Sequence, residues 1–414
     1  MASRSKYDHV LLMLVLLILL IGVIMITSIG VPKSIALSAP PELKYPDCAS
    51  PEVDCYLLMK NHILRVIASL IMMGIAWRIP YRWWKTVAMP LFGLSVAFLV
   101  FLLFGGDANG TFAKSWINLP NNPFIDSFQP SELAKFGLIV YLSFFFAEKV
   151  KPKDWEDWRE SFLKFAMIAG LPVGLIALQP DYGSALVLAA IATGLYILAG
   201  APWRHVGLGV LIAAVGVLGI VGSSEHTRAR VTGFLNPDIE CEQQGSCWQT
   251  KQANIAIGSG GFWGRGLTQG IQKSYWLPQA SDDFVFAASA EELGFLKTAM
   301  IVLIYAGIAY RGYQIANQTQ NTFGMLLAAG ITTWITAQSF VNIMVNTALF
   351  PVTGITLPFM SYGGSSMLFT LFAIGVLLNI SQATSSNAHS SNRWWNGRTR
   401  RSQSSYRRRT YRSF

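Results

Sequence analysis

Charge is scarce in this chain. Of 414 residues only 13% are Asp, Glu, Lys or Arg, while 52% are hydrophobic, and the mean hydropathy is +0.40. A soluble domain carries about 25% charge, so a water-soluble enzyme is excluded. Cysteine is scarce too: there are four, and none lies in an apolar run. No internal repeat with a period of about 20–50 residues is visible, which excludes a solenoid or propeller. The two halves show no clear inverted symmetry, which argues against a secondary transporter. The glycine run "GSGGFWGRG" is not followed by GK[ST], so it is not a nucleotide-binding Walker motif.

Long apolar runs are what the chain has. Each is about 20 residues, enough to cross a hydrocarbon core of about 30 Å. Ten spans are expected, near 9–30, 60–79, 86–104, 131–147, 162–178, 183–200, 204–222, 288–310, 323–348 and 362–381. In lipid each must be a helix, since a lone strand leaves its backbone groups unpaired. The expected fold class is an all-α polytopic membrane protein with ten transmembrane helices. The first run is too long for a signal-peptide core and reads as a retained span rather than a cleaved signal. The expected organisation is a short tail (1–8), a membrane domain (9–384) and a basic tail (385–414).

Lys and Arg in short loops set the orientation. Arg78, Arg82, Lys85, Lys149, Lys164, Arg204 and Arg311 fall on one side, and the last 22 residues add eight arginines there. That side is expected to be the cytoplasm and to hold both termini. The arginine tail reads as an electrostatic anchor on the inner leaflet or as a solvated disordered tail, not as a nucleic-acid site, because it closely follows a span. Three long loops then face outward, at 31–59, 105–130 and 223–287; the largest lies between helices 7 and 8. All four cysteines are on this side, as the close pairs Cys48/Cys55 and Cys241/Cys247. An oxidising exterior suits local disulfides. Free thiols remain open, and zinc is the weaker reading because no nearby His completes a site.

Polar residues cluster at the outer ends of the spans, where intramembrane charge points to function. Glu132 and Lys135 in "FQPSELAK" share a helix face; they either meet substrate or form an internal ion pair. Asp181 in "QPDYG" either caps a helix or joins a site. The large loop supplies Arg228, Arg230, Lys251, Arg265 and Lys273 around the glycine run, a composition suited to phosphate oxygens. "LPQASDDFVFAASAEELGF" adds Asp282, Asp283, Glu291 and Glu292. A helix over 283–291 would separate Asp283 from Glu291 by about 12 Å. The glutamates are therefore expected to hold the helix end or pair with an arginine, leaving the aspartates for acid–base chemistry. "NTALFPVTGITLPFMSYGGSS", with Ser361, Gly363 and Gly364, is expected to be an irregular segment lining a cavity.

In this order, "FQPSELAK", "QPDYG", "AIGSGGFWGRGL", "FVFAASAEELGF" and "PVTGITLPFMSYGGSS" resemble the SEDS family of membrane glycosyltransferases, the FtsW and RodA type. The resemblance runs from the first span to "LLNISQ", and "GVLLNIS" and "IAYRGYQIA" look more like the division branch. It implies ten helices with both termini cytoplasmic in a bacterial cytoplasmic membrane. It implies an inverting peptidoglycan glycosyltransferase that polymerises lipid II on the outer face, partnered by a class B penicillin-binding transpeptidase and other divisome proteins. The family's essential aspartate, in P-E-x-H-T-D-F, matches Asp283 within Pro278–Phe284. Here Gln279, Ser281 and Asp282 replace Glu, His and Thr, and Ser115 stands where Arg is usual, beside a retained Lys114.

On this reading Asp283 is the base, while Lys114, Arg228, Arg230, Lys251 and Lys273 hold pyrophosphate, with Glu132, Lys135, Asp181, Ser361, Gly363 and Gly364 around the substrate. No metal-ligand set is evident, although a divalent cation (Mg or Mn) would suit a diphosphate leaving group. A lipid II flippase is the alternative, and an inactive division scaffold the third reading. A flippase would need charge through the full membrane depth, whereas here the charge gathers at one face.

Overall fold

A computed structural model describes residues 7–43, 46–106, 115–118, 127–150, 155, 157–223, 225–236 and 246–384. Lys114, Cys241 and the basic tail lie outside the described residues.

Fourteen helices carry the described fold. The first half comprises α1 (His9–Ile29), α2 (Val31–Ser38), α3 (Leu57–Arg78), α4 (Tyr81–Thr86), α5 (Ala88–Gly105), α6 (Pro130–Glu148) and α7 (Lys164–Leu178). The second comprises α8 (Tyr182–Leu198), α9 (Trp203–Ser223), α10 (Glu225–Leu235), α11 (Ser246–Gly260), α12 (Val285–Gln318), α13 (Thr322–Asn346) and α14 (Gly364–Thr384). Strands β1 (Ile117–Asn118) and β2 (Ser127–Phe128) form a small antiparallel pair. The protein is all-α and polytopic, as expected. Every predicted span coincides with a helix, but the count of ten is not reproduced by length. Among the described residues eight helices are long and apolar enough to cross a membrane, and α8 and the Trp203–Gly216 stretch of α9 are shorter apolar helices.

Local chemistry sets the helix ends. Asp8 caps α1 by accepting from Leu11 N at 2.8 Å, Asp181 caps α8 through Ser184 N at 3.1 Å, and Asn321 caps α13 through Gly324 N at 3.1 Å. Each carboxylate or amide oxygen satisfies an N–H that the helix leaves unpaired. Pro130 opens α6, where a missing N–H costs nothing.

Burial separates an inner bundle from a lipid-facing ring. In α6, α13 and α14 two-thirds or more of the apolar window is buried, against about a third or less in α3, α5 and α12. Helices α6, α8 and α13 pack on one another, with α12 against α13 and α1 against α12. Met13, Leu20, Met89 and Leu303 face outward, as apolar side chains do where the solvent is hydrocarbon.

One end of the bundle gathers the residues read as cytoplasmic. Arg311 Nη2 meets Asp8 Oδ2 at 2.5 Å, Lys85 meets Glu148 at 2.5 Å, and Trp77 Nε1 donates to Gln382 at 3.1 Å. The opposite end carries α2, the strand pair, α10, α11 and the loop running to Phe284.

Helix α12 is two helices joined at a break. Gly294 has φ 79° and ψ 174°. The freed groups are taken up by the glycine run: Arg265 N and Gly266 N donate to Glu291 O and Glu292 O at 3.0 and 3.1 Å, and Phe295 N donates to Gly261 O at 2.9 Å. A Cβ on Gly294 would lie 2.1 Å from Gly264 N, so only glycine permits this approach. The run expected to cradle phosphate therefore spends this part of its backbone on strapping a helix break.

Residues 347–363 are irregular, as expected, and their polar groups are satisfied from the bundle. Asn342 Nδ2 donates to Ile355 O at 2.7 Å, Gln338 Nε2 donates to Thr356 O at 3.1 Å, and Tyr305 OH donates to Pro358 O. Non-helical backbone at membrane depth is tolerated only when paired in this way.

Candidate functional site

Asp283 sits in the turn that opens α12. Asp282 N and Phe284 N both donate to Gln279 O, at 3.0 and 3.2 Å, closing the chain before the helix begins at Val285. The Asp283 carbonyl accepts from Asn342 and Asn346 of α13 at 2.8 and 3.0 Å. Two buried amides therefore fix the backbone beneath the carboxylate, which points toward the irregular segment. A Cβ on Gly354 would lie 3.7 Å from Asp283 Oδ2.

In the structure Asp283 is half-buried. Burial pushes its pKa up to about 7; Asp282 and Asp181 push it the same way, and Lys33 and Arg230 partly oppose them. Such a group is poised between acid and base near neutrality.

Arg230, on α10, is one of two cations, with Lys33, whose charge acts on this carboxylate. Desolvation holds its guanidinium below the usual value, and Asp283, Asp181 and Tyr182 counter that. Its Nη1 donates to Val352 O at 3.3 Å, tying α10 to the irregular segment. Asp181 caps α8, and its charge also acts on Arg230 and Asp283.

Lys33 is the partner that sequence reasoning missed. Its Nζ lies 2.5 Å from Asp282 Oδ2 and 5.7 Å from the centre of the Tyr362 ring. Arg65, buried on α3, lies 4.3 Å from the centre of the same ring. Buried His62, one turn away on α3, has an Nε2 atom with no hydrogen-bond partner among the described residues. A histidine and an arginine inside a predicted span were the available signal. Ser361 connects the two walls: it donates to Asp282 O at 2.5 Å and accepts from Leu357 N at 2.8 Å. Tyr362 N donates to Ser281 O at 2.9 Å. Gly364 leaves room for Arg65, whose Cδ would lie 3.4 Å from an added Cβ.

Other predicted residues lie elsewhere. Lys273 does not offer a free cation to pyrophosphate: its Nζ is 2.6 Å from Glu292 Oε1, the side chain is 8% exposed, and Ser28 completes the cluster. Glu291 accepts from Ile271 N and Gln272 N at 2.9 and 3.0 Å and faces Arg265 at 3.6 Å. Both glutamates therefore hold the helix end and the loop, as expected. Lys135 and Glu132 form a buried pair at 2.8 Å, and Lys135 also donates to Gln338 at 2.9 Å; the internal-pair reading describes them. Arg228 donates to Gly222 O at 2.6 Å from an exposed position, and Lys251 is exposed on α11. Cys48 and Cys55 are joined. Cys247 is also disulfide-bonded.

No three metal-ligating side chains converge among the described residues, and Asp282 is already neutralised by Lys33.

Comparison with known proteins gives the following. The model of the FtsW/RodA/SpoVE family, described as cell cycle protein, matches residues 8–386. The chain is 35% identical over 386 residues to the probable peptidoglycan glycosyltransferase FtsW of Geobacter sp. (strain M18), covering 92% of this chain and 98% of that one. It is 35% identical over 383 residues to stage V sporulation protein E of Bacillus subtilis (strain 168), covering 92% and 98%. Among solved structures it resembles a chain of a peptidoglycan synthase complex that coordinates polymerization and crosslinking, with TM-score 0.72, 25% identity, and coverage of 92% and 98%. It also resembles the rod shape determining protein RodA of Thermus thermophilus, with TM-score 0.63, 26% identity, and coverage of 91% and 97%.

Proposed function

Because this chain belongs to the FtsW/RodA/SpoVE family of cell cycle proteins, we propose that it polymerises lipid II into peptidoglycan strands at the outer face of the bacterial cytoplasmic membrane, in cell division. The carrying observation is Asp283: a half-buried carboxyl with pKa about 7, held on α13 amides and faced by Arg230. Relatives bearing the FtsW name favour the division role.

Asp283 takes the proton from the 4-hydroxyl of the acceptor sugar. The oxygen attacks C1 of the donor sugar, the C1–phosphate bond breaks, and lipid diphosphate leaves with inversion. Negative charge grows on the departing diphosphate, and Arg230, a half-buried cation whose charge acts on Asp283, can offset it. Arg228, Lys251 and Lys114 are candidates for the outer part of the same group.

We also assign both termini to the cytoplasm, the side on which the lysines and arginines of the short loops gather. The partner proposed is a class B penicillin-binding transpeptidase, in line with the synthase complex this chain resembles.

The test is incubation of the purified protein and its transpeptidase with labelled lipid II, read as glycan ladders on a gel. Wild type is expected to polymerise. Asp283→Asn, matched in thermal stability, is expected to lose about 10²–10⁴-fold in rate, at least about 3 kcal/mol of barrier. Full activity of that variant would remove Asp283 from the reaction.

A further inference from the structure

A cavity of about 620 Å³ opens beside the catalytic turn, between α2 and the loop Lys273–Ser281. Its size is that of a small-molecule site. Trp248, Tyr275 and Trp276 line it, with Tyr275 71% and Trp276 52% exposed. Exposed aromatic faces beside polar groups suit sugars, whose rings present C–H faces to stack and hydroxyls to bond. Gln279, Ser274 and Ser281 supply neutral polar groups.

The charge balance narrows the ligand. The two lysines of the wall are both neutralised, Lys33 by Asp282 and Lys273 by Glu292. An anionic phosphate would find no uncompensated cation there, whereas a neutral sugar needs none. The wall is also held in place. Glu291 binds its backbone at Ile271 and Gln272, Trp248 Nε1 donates to Trp276 O at 3.1 Å, and Tyr275 OH donates to Pro32 O at 3.3 Å. Tyr275 and Gln279 both keep left-handed backbone, at φ 72° and 54°, a conformation that costs energy and concentrates at functional surfaces.

The cavity reaches the turn that precedes the base. Ser281 lines it, and Ser281 Oγ donates to Asp282 Oδ2 at 3.2 Å, one residue before Asp283. We propose that this cavity is a glycan subsite: it holds neutral sugar units of the growing strand by stacking on Trp276 and Tyr275, keeping the strand engaged between additions. The inference rests on the polymerase reading above.

The test compares strand length with turnover, in the intact protein with its transpeptidase. Trp276→Ala is expected to release strands about threefold shorter than wild type when both are read at the same extent of lipid II consumption, as expected from the loss of one stacking contact. Trp276→Phe is expected to restore the length. A soluble tetramer of β-1,4-linked N-acetylglucosamine is expected to bind the wild type saturably and Trp276→Ala about tenfold more weakly. Unchanged strand length in Trp276→Ala overturns the subsite even if the wild type polymerises normally. Shortening that Trp276→Phe fails to restore also overturns it, since a structural defect would then be the cause. A loss of transpeptidase co-purification with unchanged strand length would assign the cavity to the partner protein and overturn the glycan assignment. A wild type that makes no glycan at all fails the polymerase reading instead, which is a separate outcome.

Discussion

Lys33 and Asp282 meet at 2.5 Å across 249 residues of sequence. The contact joins α2 to the turn that carries Asp283 and sets the electrostatics of the base. Asp282 raises the Asp283 pKa and Lys33 lowers it, in a field that also contains Arg230 and Asp181. Asp283 works as a base only when ionised, so activity should rise with pH through a value near 7. Asp282→Thr removes a raising charge and frees Lys33 toward Asp283, so this limb is expected to move to lower pH. Lys33→Gln removes a lowering charge, so the limb moves to higher pH. Rates of lipid II consumption between about pH 5 and 9 check both signs. A limb that stays put in both variants would mean that another group titrates.

The two arginines of α10 should separate. Arg230 is half-buried and faces Asp283, whereas Arg228 is bonded to Gly222 O at the surface. Arg230→Met is expected to lower the polymerisation rate by about 10²-fold or more, the scale of losing a positioned charge at a developing anion. Arg228→Met is expected to stay within about tenfold, because a solvent-screened charge contributes less. Equal losses, measured on the same glycan ladders, would mean that both arginines reach the diphosphate.

The Glu132–Lys135 pair is buried in α6, with side chains 3% and 1% exposed. Lys135→Met leaves a carboxylate without its cation in the bundle, and breaking such a pair costs about 3–5 kcal/mol. The double variant Glu132→Gln with Lys135→Met should recover much of that loss. Thermal unfolding in detergent measures it. A double variant no more stable than Lys135→Met would show that the pair is not coupled.

Gly294→Ala should damage the fold more than any glycine change in a lipid-facing helix. Its φ of 79° disfavours a side chain, and the Cβ would collide with Gly264 N. A cost above about 2 kcal/mol is expected from strain and displacement together. Gly74, with nothing within 4 Å of a built Cβ, is the control, and Gly74→Ala should leave the melting temperature near wild type.

Much of this protein could be read in one dimension. Hydropathy and helical periodicity are local quantities, so the segments that became helices were visible as apolar runs, and the irregular stretch at 347–363 was visible as prolines and glycines between two of them. The acids of "SDDFVFAASAEEL" were visible as chemistry, because carboxylates at a membrane surface are costly to desolvate. Asp283 could be singled out through the resemblance carried by its neighbours.

Packing decided the rest. Whether Lys273 is a free cation depends on where Glu292 lies, and whether "GSGGFWGRG" binds an anion depends on which N–H groups the break at Gly294 consumes. Lys33 looked like an ordinary loop lysine until α2 brought it to Asp282, and Arg65 and His62 became part of a wall only when α3 met Tyr362. Charge pairing and desolvation fall off over a few ångströms, and residues hundreds of positions apart come that close only after the helices pack. Residue types and helix order therefore belong to the chain itself, while the roles of its charged groups and the near-neutral pKa of Asp283 belong to the assembled bundle.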